Sequence, residues 1–465
     1  MWGSKVICRY RITICDLFHS LIFFIHLFFI IVMKKLLFVL GLAMATMSMQ
    51  AQENQFSMSA QLRTRAEYRN GSIYPRGEGD AFTSFINDRT RLSISYVRAN
   101  NLELKISGQQ VGVWGQDPQV NRDGRYDLNE AWAKLKHGNV YAQIGRQPLV
   151  YDDERLLGDL DWNVAGRSHD AFKLAYEKNA DKLHLILAFN QNEEKINSGT
   201  YYAAGGQPYK SMQTLWYNHQ FNRPMTLSLL FMNLGQEGGV WGDAKTRYMQ
   251  TMGFHFTAQP NNWDLVASFY YQTGKTASDL DISSLMASVK AGYNFNPAWK
   301  ATFGFDFMDG EDYQWATSSR SGDFEVYKAD PTKTRAFNPL FGTHHKFYGA
   351  MDYFYASSYL NGLAPGLQDI QLSVDYKATK NTAMQLAYHY FLTASDILVT
   401  DGKTLGSEID FQININLMKS VTMMIGYSTM FGTDTMDCVK GGDHSKWQDW
   451  AWISLNINPQ FISRW

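Results

Sequence analysis

Glu408-Ile409-Asp410-Phe411-Gln412-Ile413-Asn414-Ile415-Asn416-Leu417 alternates acidic or amide side chains with apolar ones without a break. Successive side chains of a β-strand point to opposite faces. Ile409, Phe411, Ile413, Ile415 and Leu417 therefore share one face, and Glu408, Asp410, Gln412, Asn414 and Asn416 share the other. One such strand suits a soluble sandwich equally well. The pattern, however, recurs from about residue 55 to Trp465, and the connections between strands alternate between short and long. That combination is the mark of an all-β, transmembrane antiparallel β-barrel.

The short connections carry Asn/Pro/Gly/Lys turn chemistry. They are Ala99-Asn100-Asn101, His137-Gly138-Asn139, Lys178-Asn179-Ala180-Asp181, Phe221-Asn222-Arg223-Pro224, Gln259-Pro260-Asn261-Asn262, Asn296-Pro297-Ala298, Ala378-Thr379-Lys380-Asn381 and Lys419-Ser420. Between them lie long polar connections near 70–84, 115–126, 147–167, 191–210, 235–245, 309–367 and 433–446, with shorter ones near 273–281 and 395–404. Short periplasmic turns alternating with long extracellular loops give an even number of strands, about 18, the size that leaves an aqueous channel. Residues 343–355 are read as part of the longest loop; a full strand there would make the number odd.

Two apolar stretches precede this region. Met33-Lys34-Lys35, apolar Leu36 to Ala45 and Met49-Gln50-Ala51 have the basic start, apolar middle and small exit residue of a secretory signal peptide. Leu17 to Val32 is short for a membrane helix. The expectation is an upstream start assigned over residues 1–32, a signal peptide at 33–51 and a single outer-membrane barrel at 52–465. Removing 51 residues from 465 leaves 414, with 38 basic and 43 acidic residues and a net charge of −5. That balance excludes a strongly basic nucleic-acid binder. Cys8 and Cys15 go with the leader and Cys438 stays alone, so no internal disulfide is expected. Beyond Ala51 no apolar run is long enough for a membrane helix, so any span must be made of strands.

Outward faces are rich in apolar residues, such as Phe303, Phe305 and Phe307, or Ile370, Leu372 and Val374. Aromatics at strand ends (Tyr68, Tyr96, Trp263, Tyr293, Tyr427) fit interfacial girdles, although they favour any strand. The inward faces carry the functional signal. Arg63, Arg65, Glu67 and Arg69 share one face of the first strand, and Arg89 and Arg91 one face of the second. Arginine offers a planar fork for carboxylates and stays charged. The cluster reads as a track for an anionic solute or as a lattice of internal ion pairs. Charge is densest between Gly145 and Asp170, where Arg146, Arg155 and Arg167 alternate with Asp152, Asp153, Glu154 and Asp170. If this loop folds inward, these groups form the constriction; if not, they are a solvated outer loop.

Two stretches resemble a known family. Gly145-Arg146-Gln147-Pro148-Leu149, Arg155-Leu156-Leu157-Gly158, Asp161-Trp162-Asn163 and Gly166-Arg167-Ser168-His169-Asp170-Ala171 look like the central signature of the alginate export family of outer-membrane channels. Phe337-Asn338-Pro339-Leu340-Phe341-Gly342-Thr343-His344-His345-Lys346-Phe347-Tyr348-Gly349, with Asp352-Tyr353-Phe354, resembles the long-loop motif of its Bacteroidetes-type branch. The resemblance implies a single-chain barrel in the outer membrane of a Gram-negative bacterium. It also implies an arginine-lined pore for an anionic carbohydrate such as an alginate-like polysaccharide, and carries Arg146, Arg155 and Arg167 over as conduit residues. The terminal strand, closing with Phe461 and Trp465, resembles those read by the barrel assembly machinery. Expected partners are therefore an anionic carbohydrate or other small anionic solute, outer-membrane lipid and that machinery, with no nucleic acid and no cofactor.

The alternatives are a general porin and a plugged barrel whose loop 309–367 (Tyr313, Trp315, Arg320, Asp323, Tyr327) closes the lumen or binds an outside partner. Hydrolase chemistry would need a nucleophile or carboxylate pair with a histidine. His344 and His345, His169 beside Asp170, and isolated His255, His389 and His444 are weak candidates, and no nucleophile elbow or phosphate loop is present. The expectation is a channel rather than an enzyme, with no metal site.

Overall fold

The computed structural model describes residues 54–465 except 100, 121–124, 195, 198, 203–204, 223, 240–242, 312, 319–323, 329, 355–363 and 398–401. Both apolar leader stretches, and Arg320 and Asp323, lie outside the described residues. The strands in chain order are β1 (Asn54–Asn70), β2 (Thr83–Arg98), β3 (Leu102–Val113), β4 (Asp127–His137), β5 (Val140–Gln147), β6 (His169–Lys178), β7 (Asp181–Phe189), β8 (Ser211–Asn222), β9 (Met225–Gly238), β10 (Lys245–Ala258), β11 (Trp263–Lys275), β12 (Asp281–Asn294) and β13 (Trp299–Met308). Inside the longest loop come β14 (Tyr313–Ser318), β15 (Phe324–Lys328) and β16 (Lys333–Thr334). They are followed by β17 (Leu367–Lys377), β18 (Thr382–Leu392), β19 (Thr404–Met418), β20 (Val421–Gly432), β21 (Gln448–Ile457) and β22 (Gln460–Arg464).

β1 to β13 and β17 to β21 pair with their neighbours and close into an 18-stranded antiparallel barrel. β1 and β21 make the closure, from Leu62 opposite Ile457 to Asn70 opposite Asp449. Closure leaves no open edge, so every spanning backbone group finds a partner on the next strand. Every short connection expected from turn chemistry falls at a break between barrel strands, on one rim, and every long one falls on the other. The described residues of this stretch, 343–354, form no strand, only a single 3-10 turn at His344–Lys346, so the count stays even. Asn54, Gln55 and Ser463–Trp465 form a small unit of their own, in which Asn54 and Trp465 exchange backbone hydrogen bonds.

The barrel is apolar outside and polar inside. Leu62, Leu92, Ile94, Ile144, Phe303, Leu372, Ile409 and Phe411 are exposed on the outer face. Arg65, Glu67, Arg89, Ser288, Asp306, Asp369 and Glu408 are buried on the inner face. No helix among the described residues is long and apolar enough to cross a membrane. The helix α1 (Asp434–Lys440), capped by the Thr433 hydroxyl, sits in the loop between β20 and β21.

Candidate functional site

Two long loops turn into the barrel and pack against its inner wall. The first, residues 148–168, follows β5; the second is the 337–354 part of the loop between β13 and β17. Gly145 shapes the entry to the first. Its φ is +122°, and a Cβ there would overlap the Ala131 carbonyl on β4, so only glycine fits. The loops join directly: Leu157 and Phe341 form a parallel β-bridge, and Thr343 N–H donates to Glu154 O at 2.8 Å. Their apolar side chains Leu149, Leu156, Leu157, Phe337, Phe341, Phe347 and Phe354 form one core with inward Met212, Met232, Met249, Met286 and Met308 from the wall. Burying each such side chain stabilises the assembly by about 1.5–3 kcal/mol.

Polar clamps hold this core to both walls. On the β1–β3 side the hub is Asp161. Arg89 Nη1 and Nη2 reach its two carboxylate oxygens at 2.8 and 3.2 Å, and Arg63 and Arg91 add contacts at 3.5 and 3.4 Å. The same arginines donate to loop carbonyls: Arg63 to Asp161 O and Asn163 O, Arg89 to Val164 O, and Arg91 to Ala165 O. Burial pushes the Asp161 carboxyl up, but the Arg89 hydrogen bonds and the charges of Arg89, Arg63 and Arg91 outweigh it and hold the group below the usual carboxylate range. Arg65 is tied to Glu67 at 2.8 Å and lies 4.2 Å from the Trp162 ring, whose plane stacks with His345 at 4.1 Å.

On the β12–β13 side the hub is Arg155, which is buried. Its guanidinium donates to Asp153 (2.8 Å), Asp306 (2.8 Å), the Ser288 hydroxyl (2.8 Å) and the Tyr348 hydroxyl (3.1 Å). A buried arginine with all three guanidinium nitrogens engaged is a structural anchor. Further clamps run from Asn338 to Gln272 on β11, from Met351 N–H to Glu408 on β19, and from the Tyr353 hydroxyl to Gln448 on β21.

The residues expected to act together thus divide into three groups. Arg63, Arg65, Arg89 and Arg91 stand on the inward faces of β1 and β2, where the first inner loop packs on them. Arg155 and Arg167 are in the inner layer, with Arg167 donating to Gly342 O at 2.9 Å, and Asp153, Glu154 and Glu67 partner the basic groups or the second loop. Asp152 accepts from Trp216 at 3.1 Å, and burial raises its carboxyl. Arg146 and Asp170 are elsewhere. They pair at 3.2 Å on the outer face, in line with exposed Val140 and Ile144, because inward positions on β5 are Tyr141, Gln143 and Gln147. Sequence reading missed Asp161 as the hub, together with Asp306 and Tyr348 around Arg155. The inward methionines were the available signal that apolar loop side chains pack on this part of the wall.

The histidines are packing groups. His344 is buried with Nε2 against Pro339 O, His345 binds Asp352 at 2.9 Å, and His169 binds the Tyr209 hydroxyl at 2.8 Å. His444 is not isolated: Asp437 takes its Nδ1 at 2.6 Å, with Asp434 at 3.6 Å, in the loop that carries α1.

A model of the family described as alginate export matches residues 54–442, nearly the whole barrel and both inner loops. The chain belongs to the alginate export family. Among solved structures, this family member is similar to OccAB1 of Acinetobacter baumannii, with 13% identity, a TM-score of 0.58, and coverage of 87% of this chain and 97% of that one. It is also similar to the outer membrane protein opdK of Pseudomonas aeruginosa, with 12% identity, a TM-score of 0.56, and coverage of 87% and 99%. A further structure of OpdK, holding vanillate, matches at 12% identity and a TM-score of 0.54, again covering 87% and 99%. At these identities the likeness is one of fold. No curated protein matches the chain. The alginate export family member is accordingly an outer-membrane β-barrel channel.

Proposed function

We propose that this outer-membrane channel passes anionic solutes, carbohydrate acids above all, by passive movement along an arginine wall. Arg63, Arg65, Arg89 and Arg91 supply the wall, and Arg155 and Arg167 brace the loops that narrow it. The observation that carries the reading is the convergence of Arg63, Arg89 and Arg91 on the single Asp161 carboxyl. The bidentate fork that Arg89 presents to Asp161 matches the carboxylate of a uronic acid equally well. The OpdK structure with vanillate, itself a carboxylate, is consistent with solutes of this charge. The same reading takes residues 33–51 as a removed export signal, residues 1–32 as lying ahead of the true start, and the barrel assembly machinery as the partner that inserts the chain.

The test is the reversal potential of the refolded barrel in a planar bilayer under a salt gradient, with and without oligo-alginate. Anion preference and block by the oligosaccharide support the reading; cation preference, or indifference to the oligosaccharide, defeats it. The second reading, a plugged barrel, is favoured by the bridge between Leu157 and Phe341 that joins the inner loops. It requires almost no steady current.

A further inference from the structure

A cavity of about 230 Å³ lies between the long-loop ends of β9 to β13 and the second inner loop. Its floor is apolar and buried: Met249, Ile282 and Met308 come from β10, β12 and β13, and Phe337 and Phe354 from the loop. Backbone bonds hold its walls apart. Thr334 pairs with Ile282 as a parallel strand, Phe337 N–H donates to Asp309 O at 3.0 Å, and Glu311 N–H donates to Ala364 O at 2.8 Å. Asn338 and Gln272 are tied both ways, Asn338 N–H to the Gln272 side-chain oxygen at 2.9 Å and the Gln272 amide to Asn338 O at 2.7 Å. The space is therefore built into the frame. Polar groups stand at its edge. Gln236 and Asn338 line it, and among the described residues nothing takes the Gln236 side-chain amide or the Asn338 NH2 group; the Asn338 side-chain oxygen accepts from Leu340 N–H at 2.9 Å. Asp309, the one charged group among the described lining residues, is already engaged: Gly310 N–H and Arg335 Nη2 both reach its Oδ1 at 3.2 Å.

We propose that this cavity binds one small uncharged phenol, its ring among Phe337, Phe354 and the Met249 and Met308 thioethers and its hydroxyl at Gln236 and Asn338. An apolar cavity of about 150 Å³ holds one benzene, so this one takes a single ring with a substituent or two. Phenylalanine rings and methionine sulfur both pack favourably against an aromatic ring. A phenolic hydroxyl donates and accepts, and a side-chain amide offers the complement of both. Charge is disfavoured in either sign. A carboxylate ligand would meet Asp309, and an ammonium ligand would have to displace Arg335 from it. The site is thus separate from the arginine wall and its anionic solutes, and either reading can fail without the other.

The test is fluorine NMR of the refolded full barrel in detergent micelles, titrated with 4-fluorophenol. Uptake by the micelles rises without saturation and is common to every variant, so the saturable fraction reports the barrel. One saturable site is expected. Ala336→Trp, placed on the cavity lining, should abolish it while the folded band persists on a heat-modifiability gel. Gln236→Leu keeps the space and should weaken 4-fluorophenol about tenfold, with fluorobenzene bound as in the unmodified protein. A barrel with no saturable site, or an equal one in Ala336→Trp, overturns the proposal. Unchanged 4-fluorophenol binding in Gln236→Leu overturns it too, since the hydroxyl would then have no partner there. So does 4-fluorobenzoate bound as tightly as 4-fluorophenol, which would give the cavity to anions.

Discussion

Leu157 and Phe341 pair as parallel strands inside the lumen, with Gly158 N–H donating to Phe341 O and Phe341 N–H to Leu156 O, both at 2.9 Å. Two loops remote in sequence are thereby one body. Gly342 sits at the seam, where a Cβ would overlap the backbone of Arg155. Gly342→Ala is expected to push the loops apart, raise single-channel conductance and lower stability by about 1–3 kcal/mol. Bilayer recordings and a heat-modifiability gel measure both, and an unchanged conductance would show that the bridge does not narrow the path.

Asp161→Ala removes the shared counter-ion of Arg63, Arg89 and Arg91. Stronger anion preference is expected, because three guanidiniums then face the lumen without a carboxylate. A reversal potential shifted toward cations would contradict the wall.

Arg89→Ala together with Arg91→Ala is the converse. Anion preference should fall while the barrel still closes, since lumen positions tolerate polar change. Arg146→Gln is the control: that residue pairs with Asp170 on the outer face, so selectivity should not move.

Acid gives a further test of the same clamp. The Asp161 carboxyl is held below its ordinary range, so its contribution is fully present above the unfolded carboxylate value and is lost as pH falls through the folded value. The part of the conductance change that depends on Asp161 should appear only below about pH 4. Asp161→Asn should flatten that change; a transition near neutral pH would assign it to another group.

Arg155→Met leaves Asp306 buried without its partner, which costs about 3–5 kcal/mol. Combining it with Asp306→Leu should recover much of the loss, read as the melting midpoint of the folded band. No recovery would mean that Asp153 and Tyr348 matter more than the ion pair.

The strand ladder was legible in the chain because a period of two and Asn/Pro turns are local signals. Glu408 to Leu417 and Lys419-Ser420 read directly onto β19 and its turn. The inner layer was only half legible. Charge density marked residues 145–170 as unusual, but nothing local says that Asp161 rather than Glu154 meets Arg89, or that Arg155 reaches Asp306 on β13. Such contacts depend on which wall a folded-in loop touches, and that is set by closure of the whole ring. Arg146 shows the opposite failure: it belongs to the charged stretch, yet strand parity, not loop chemistry, sends it outward.

Because the joined loops grip β1 to β3, β11 to β13, β19 and β21 at once, they act as spokes within a hoop. An 18-strand ring alone resists stretching along its hydrogen bonds but ovalises easily. Here the bore keeps its cross-section only while the spokes hold, so the diameter a passing chain meets belongs to the loops and the barrel wall alike.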